Sequence, residues 1–185
     1  MYYREIKPEK PVTAEDTRQL QETVRDILGR VKSEGDAALR HYSKEFDKFE
    51  PEAFRVSPEE AAKAKDELPP AVVEELDFAI EQVGAFAQAQ KDQLTAFETE
   101  LKPGMRMGHR ILPVASVGCY LPAGRYPCLT TGVMAVMPAK VAGVKRIIAC
   151  SSPGRQGAIS PGVLYTLHKM GVDEIYCLGG VQAIG

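Results

Sequence analysis

No apolar run in this chain reaches membrane-spanning length. Its polar start, MYYREIKPEKP, lacks the apolar stretch of a secretory signal. A cytoplasmic protein with no membrane partner is therefore expected. HExxH, a P-loop, GxGxxG and a Ser-His-Asp arrangement with a nucleophile elbow are all missing. The usual zinc-protease, mononucleotide and dinucleotide fingerprints are thereby excluded. Histidine occurs three times, on separate elements: His41 and His168 in amphipathic helical stretches, His109 in Gly108-His109-Arg110 on a β segment. The four cysteines, Cys119, Cys128, Cys150 and Cys177, have no CxxC spacing. Three of them fall near the ends of successive strand-like runs, where reduced thiols acting as small apolar side chains are expected. There is no clustered basic stripe to hold a nucleic acid, no internal repeat and no low-complexity segment.

What is present is ordinary for a folded soluble chain of 185 residues, with 44% hydrophobic and 26% charged residues. The net charge is −2, unevenly distributed. From Ile111 onward Arg125, Lys140, Lys145, Arg146, Arg155 and Lys169 face only Asp173 and Glu174. A mildly basic segment suits a small anionic ligand such as a dinucleotide; solvated helix faces account for the same charges.

The first half reads as helical. Thr13 with Asp16 makes an N-terminal signal, and Leu20, Val24, Ile27, Leu28 and Val31 keep helical spacing. Gly35 ends that helix, and a second runs through Ala38, Leu39, Tyr42 and Phe46. Ser57-Pro58 opens a third. Pro69-Pro70 breaks it, and a fourth follows over about 71–90, with Val73, Leu76, Phe78, Ala79, Val83 and Phe86 expected to face inward. The period then shortens: 97–101 and 105–114 alternate around Pro103-Gly104, as in a hairpin. Beyond it, strands 116–120, 146–151 and 174–178 alternate with helices over about 130–142 and 159–170, the pattern of a parallel sheet. The expected class is α/β: a helical region with a hairpin over 1–112, then an incomplete Rossmann-like parallel βαβ domain over 113–185. The last run, Gly179-Gly180-Val181-Gln182-Ala183-Ile184-Gly185, opens a helix that a parallel sheet needs as cover. The chain thus reads as the front part of a larger protein, with apolar strand faces and an unpaired sheet edge exposed and poor stability expected.

Ligands of open α/β sheets sit beyond the carboxyl ends of the strands. Two segments lie there. Leu121-Pro122-Ala123-Gly124-Arg125-Tyr126-Pro127 leads into a helix whose N-terminus favours an anion. In it Arg125 could pair with a pyrophosphate, and Tyr120, just before it, could stack on or hydrogen-bond to a ribose or base. A tight turn shaped by Pro122, Gly124 and Pro127 accounts for the same residues. Gly179-Gly180 allows close backbone approach, with Gln182 behind it; a plain turn and a solvated helix start are the alternative.

These residues carry a resemblance. Gly35-Asp36-Ala37-Ala38-Leu39, Tyr42, Phe46-Asp47-Lys48, the run Pro113 to Gly124, Pro138-Ala139-Lys140-Val141-Ala142-Gly143-Val144 and Gly179-Gly180-Val181-Gln182-Ala183-Ile184 are similar to the histidinol dehydrogenase family. The resemblance covers nearly the whole chain. It implies an NAD-dependent, zinc-requiring alcohol dehydrogenase, a homodimer, that oxidises L-histidinol through the aldehyde to L-histidine. Cofactor-binding residues fall on Tyr120, Pro122 and Gln182, with Gly124 and Arg125 as weaker candidates. The zinc ligands and the catalytic Glu-His pair of the family fall beyond Gly185, so no catalytic or metal residue is assigned and the chain alone is expected to be inactive. Ala123 replaces a family glycine, and Ala87 follows Phe86 where a His is frequent. Together with Gly108-His109-Arg110 and Gly124-Arg125-Tyr126-Pro127, this resembles a paralogue branch acting on other small alcohols, including sulfonated diols. A non-catalytic, truncated nucleotide-binding protein is the reading from another class.

Overall fold

Helix α1 (Ala14–Glu34) begins at a reciprocal cap: the Asp16 N–H donates to the Thr13 hydroxyl at 3.1 Å, and the Thr13 N–H to the Asp16 carboxylate at 3.0 Å. The computed structural model describes residues 13–123, 126–154 and 157–185. Gly35 ends α1, and α2 (Asp36–Tyr42) runs on into one π-helical turn at Ser43–Asp47. Ser57 caps α3 (Pro58–Lys63), which tightens into a 3-10 turn at Ala64–Glu67. Pro70 opens α4 (Pro70–Asp92), where its missing N–H costs nothing. Strands β1 (Phe97–Lys102) and β2 (Met105–His109) form an antiparallel hairpin exposed along its whole length. The alternation expected to reach Val114 pairs only as far as His109, whose ring lies edge-on to Phe97 with its Nε2 2.8 Å from the Thr95 carbonyl oxygen.

The α/β part follows: β3 (Ser116–Leu121), α5 (Leu129–Ala142), β4 (Arg146–Ser151), α6 (Pro161–Lys169), β5 (Glu174–Cys177) and a 3-10 turn at Val181–Ala183. Strands β3, β4 and β5 form a parallel sheet in sequential order, with Leu121 level with Ser151 and Ser151 level with Cys177. Sequential right-handed crossovers put both connecting helices on one face of such a sheet. That face is the core: Cys119, Leu121, Ile147, Ala149, Ile175 and Cys177 pack with Val133 and Val136 of α5 and Val163 and Leu167 of α6. Ala61, Ala64 and Leu76 belong to the same cluster, so the core runs unbroken from the helical region into the sheet.

One expectation is corrected. Phe78 and Phe86 do not face inward; they are 63% and 67% exposed, while Leu76 and Ala87 form the buried line of α4. Apolar residues surround much of this helix, and only the arc against α5 and α6 is covered. Of the two sheet edges, β3 has no strand beyond it among the described residues, whereas β5 is covered. Residues 54–56 lie antiparallel along it: the Val56 N–H donates to the Ile175 carbonyl at 2.9 Å, and the Cys177 N–H to the Phe54 carbonyl at 2.7 Å. Among the described residues, no helix is long and apolar enough to cross a membrane.

Candidate functional site

The carboxyl ends of β3, β4 and β5 bring together Tyr120, Ser151, Ser152, Gly179 and Gly180. Tyr120 ends one residue before the last of β3, on the sheet face away from α5 and α6, level with Cys150. Its hydroxyl oxygen accepts the Gly180 N–H at 3.2 Å and lies 3.4 Å from the Ser152 hydroxyl. All three strand ends therefore meet at one phenol oxygen.

The glycine pair makes that meeting possible. A Cβ on Gly179 would lie 2.3 Å from the Ser152 hydroxyl oxygen and 2.8 Å from its Cβ. Gly180 has φ +68° and ψ −167°, a conformation open essentially to glycine alone. A Cβ there would also come within 2.5 Å of the Gln182 Oε1. Gln182 is 2% exposed, and neither Nε2 nor Oε1 has a hydrogen-bond partner among the described residues. The fully buried Ser151 hydroxyl is in the same position. Burying an amide without a partner costs one to several kcal/mol, on the order of 1–3 in protein series, so a polar partner for this side chain would be stabilising.

Of the sequence-selected residues, Tyr120 and Gln182 flank Gly180 from two sides. Pro122 follows β3 on the exposed surface. Gly124 and Arg125 lie outside the described residues. Ala123 is 6% exposed, so its methyl group is packed into the fold and does not stand over the outside of the loop. The α5 N-terminus follows this loop: no side chain caps it among the described residues, and its first turn holds no acidic residue. Free N–H groups at a helix start favour an anion.

Beneath Tyr120 a notch of about 150 Å³ is lined by Gly118, Cys119, Tyr120, Cys150, Ala183 and Ile184. Burial raises the Cys119 thiol pKa; burial, with Cys119 nearby, raises that of Cys150, so both present neutral thiols. Larger concavities lie elsewhere. One of about 400 Å³ between α4 and α5 is mainly apolar, and one of about 430 Å³ beside His41 is walled by solvated charges. Neither gathers buried polar groups as the strand ends do. His41 meets Glu45 at 3.2 Å, and His168 is exposed at the end of α6. Among the described residues no three His, Cys, Asp or Glu side chains are grouped to hold a metal. Ser152 went unnoticed in the sequence because Ser before Pro reads as a turn; its place one residue past β4 was the signal available.

The family model for histidinol dehydrogenase matches residues 10–185. The chain is 43% identical over 166 residues to a histidinol dehydrogenase homolog of Shouchella clausii, covering 90% of this chain and 39% of that protein. It is 43% identical over 164 residues to the histidinol dehydrogenase of Methanosarcina mazei, covering 89% and 38%. With the sulfopropanediol 3-dehydrogenase of Ruegeria pomeroyi it shares 37% identity over 179 residues, covering 97% and 41%. The crystal structure of histidinol dehydrogenase from Elizabethkingia anophelis superposes with a TM-score of 0.83 at 29% identity, covering 98% of this chain and 40% of that one. The chain thus spans about two fifths of the length of these relatives.

Proposed function

The chain belongs to the histidinol dehydrogenase family, and on that premise we propose that it supplies the dinucleotide-binding part of an NAD-dependent dehydrogenase acting on a small primary alcohol. The observation that carries the reading is the buried Gln182 amide with no partner among the described residues, beside the Tyr120 hydroxyl and behind a glycine pair. In this reading residues 113–185 hold the cofactor, and the helical region 1–112 packs against them. NAD fits the donor set: Gln182 offers two N–H donors and a carbonyl acceptor, Tyr120 a hydroxyl, and the α5 N-terminus free N–H groups for a phosphate. Held by Tyr120, Gln182 and the α5 N-terminus, NAD would supply a hydride acceptor for the alcohol carbon. The part of this chain is to bind and orient the dinucleotide.

Among the described residues no group of side chains fits zinc. Histidinol is the leading substrate reading and a sulfonated diol the alternative, which the similarity to the sulfopropanediol dehydrogenase over 97% of this chain supports. A homodimer is the proposed assembly.

Calorimetric titration of the chain with NAD tests the reading. Saturable binding is expected, and Gln182→Ala should weaken it by about 1–2 kcal/mol, the scale of hydrogen bonds lost to a ligand. No saturable binding would overturn the dinucleotide reading; an unchanged dissociation constant would remove Gln182 from the site. Assays of an enzyme built on this chain, with histidinol and with a sulfonated propanediol in parallel, decide the substrate. Activity with neither favours a nucleotide-binding protein without catalysis.

A further inference from the structure

We propose that Ser152 is a positioning residue for Tyr120, holding the phenol so that its O–H points outward as a donor to the dinucleotide. The inference rests on the dinucleotide reading of this site. A phenol oxygen accepts hydrogen bonds and has one proton to give. The Gly180 N–H donates to it at 3.2 Å, and being a backbone donor on a glycine of fixed conformation it cannot turn away. The Ser152 hydroxyl lies 3.4 Å away, where either oxygen can donate, and in this proposal Ser152 is the donor. With both groups donating to the phenol oxygen, the Tyr120 proton is directed toward an external acceptor, such as a ribose or phosphate oxygen.

Three features make the Ser152 hydroxyl more than a turn residue's side chain. Ser152 is only 7% exposed, so its hydroxyl has little water to turn to. The missing side chain of Gly179 is the space in which it sits, since a Cβ there would lie 2.3 Å from its oxygen. The parallel register also places it one step beyond the Leu121–Ser151 pair, at the level where the Tyr120 ring reaches across from β3. At 3.4 Å the contact is long for two hydroxyls, and an acceptor on the phenol proton would polarise and tighten it.

A double-mutant cycle on the whole chain tests this, with NAD as titrant. Ser152→Ala should weaken binding about threefold to tenfold, the range of one neutral hydrogen bond. In a Tyr120→Phe background the same substitution should cost nothing further, because the group it acts through is gone. Ser152→Thr, which keeps the hydroxyl, should restore binding. An equal loss in both backgrounds, or no loss in either, overturns the proposal.

A ligand-free measurement separates this inference from the reading beneath it. In NMR spectra, Ser152→Ala should shift the Gly180 amide proton and the Tyr120 ring Cζ, and Ser152→Thr should return both. If the chain binds no NAD the dinucleotide reading falls, and unmoved resonances then overturn the positioning role as well. If Ser152→Ala does not fold, Tyr120→Phe gives the reverse reading: the Ser152 Cβ resonance should move, and its constancy overturns the proposal.

Discussion

Cys128 is exposed and its thiol points to the Tyr126 carbonyl at 3.7 Å, whereas Cys119 and Cys177 are buried in the sheet and Cys150 is half-buried. Burial, with the Glu60 and Asp47 carboxylates nearby, pushes the Cys177 thiol up to about 12, so it holds no thiolate near neutrality. Since the thiolate is the nucleophile, iodoacetamide at neutral pH should modify Cys128 first and Cys177 only on unfolding. Mass spectrometry of digests checks the order; early labelling of Cys177 would contradict the packing of β5. Gly180 makes the second prediction at this scale. Gly180→Ala should lower stability by about 1–3 kcal/mol, the cost of forcing a side chain into a glycine-only conformation. It should also weaken NAD binding by displacing Gln182, and a thermal melt with a parallel titration reads both.

Between elements, one polar cluster ties α4 to α6. The Tyr165 hydroxyl donates to the Asp77 carboxylate at 2.6 Å, and the Lys169 ammonium pairs with its other oxygen at 3.0 Å. The Tyr165 hydrogen bond, followed by Lys169, holds the Asp77 carboxyl below its ordinary value of 3.8. A lowered folded-state value means that the folded chain releases this proton more readily than the unfolded chain. The resulting stabilisation is complete above the ordinary value and is lost as the pH falls through the lower, folded-state one. The advantage of the native chain over Asp77→Asn should therefore hold from about pH 6 to the ordinary carboxylate pKa near 4 and shrink as melts are continued below it. An advantage that stays constant below that value as well would assign Asp77 no role in joining the helices. The helices themselves were legible from local signals: the Thr13–Asp16 and Ser57 caps, the Pro69-Pro70 break and the 3.6-residue spacing each act within a few residues. The outward turn of Phe78 and Phe86 was not legible. Apolar side chains spread widely around α4, and the position of α5 decides which arc is covered.

Across the molecule, the 54–56 segment joins the N-terminal helices to the sheet. The Arg40 guanidinium donates to the carbonyls of Pro51 and Glu52 at 2.8 and 3.0 Å and lies over the Phe54 ring, 5.5 Å from its centre. This holds the segment that completes the β5 ladder. Arg40→Ala should cost about 1–2 kcal/mol, as for hydrogen bonds to a charged donor, a fall in Tm of about 2–8 °C for a chain of this size. Hydrogen exchange should show the Cys177 amide losing protection in the same variant. Protection retained there would mean that the segment needs no help from Arg40.

The amino-acid sequence by itself determined the succession of helices and parallel strands, and it pointed to Tyr120 and Gln182 at the strand ends. Periodicity, capping residues and Gly or Pro punctuation work over short windows, and strands joined by a helix-length connection pair in parallel. Only the tertiary structure decided the antiparallel cover on β5, the exposed arc of α4 and the meeting of Tyr120, Ser152 and Gly180 at one oxygen. Those contacts join residues tens of positions apart. Their partners are selected by sheet register and by the competition for buried area, neither of which any single stretch of chain contains.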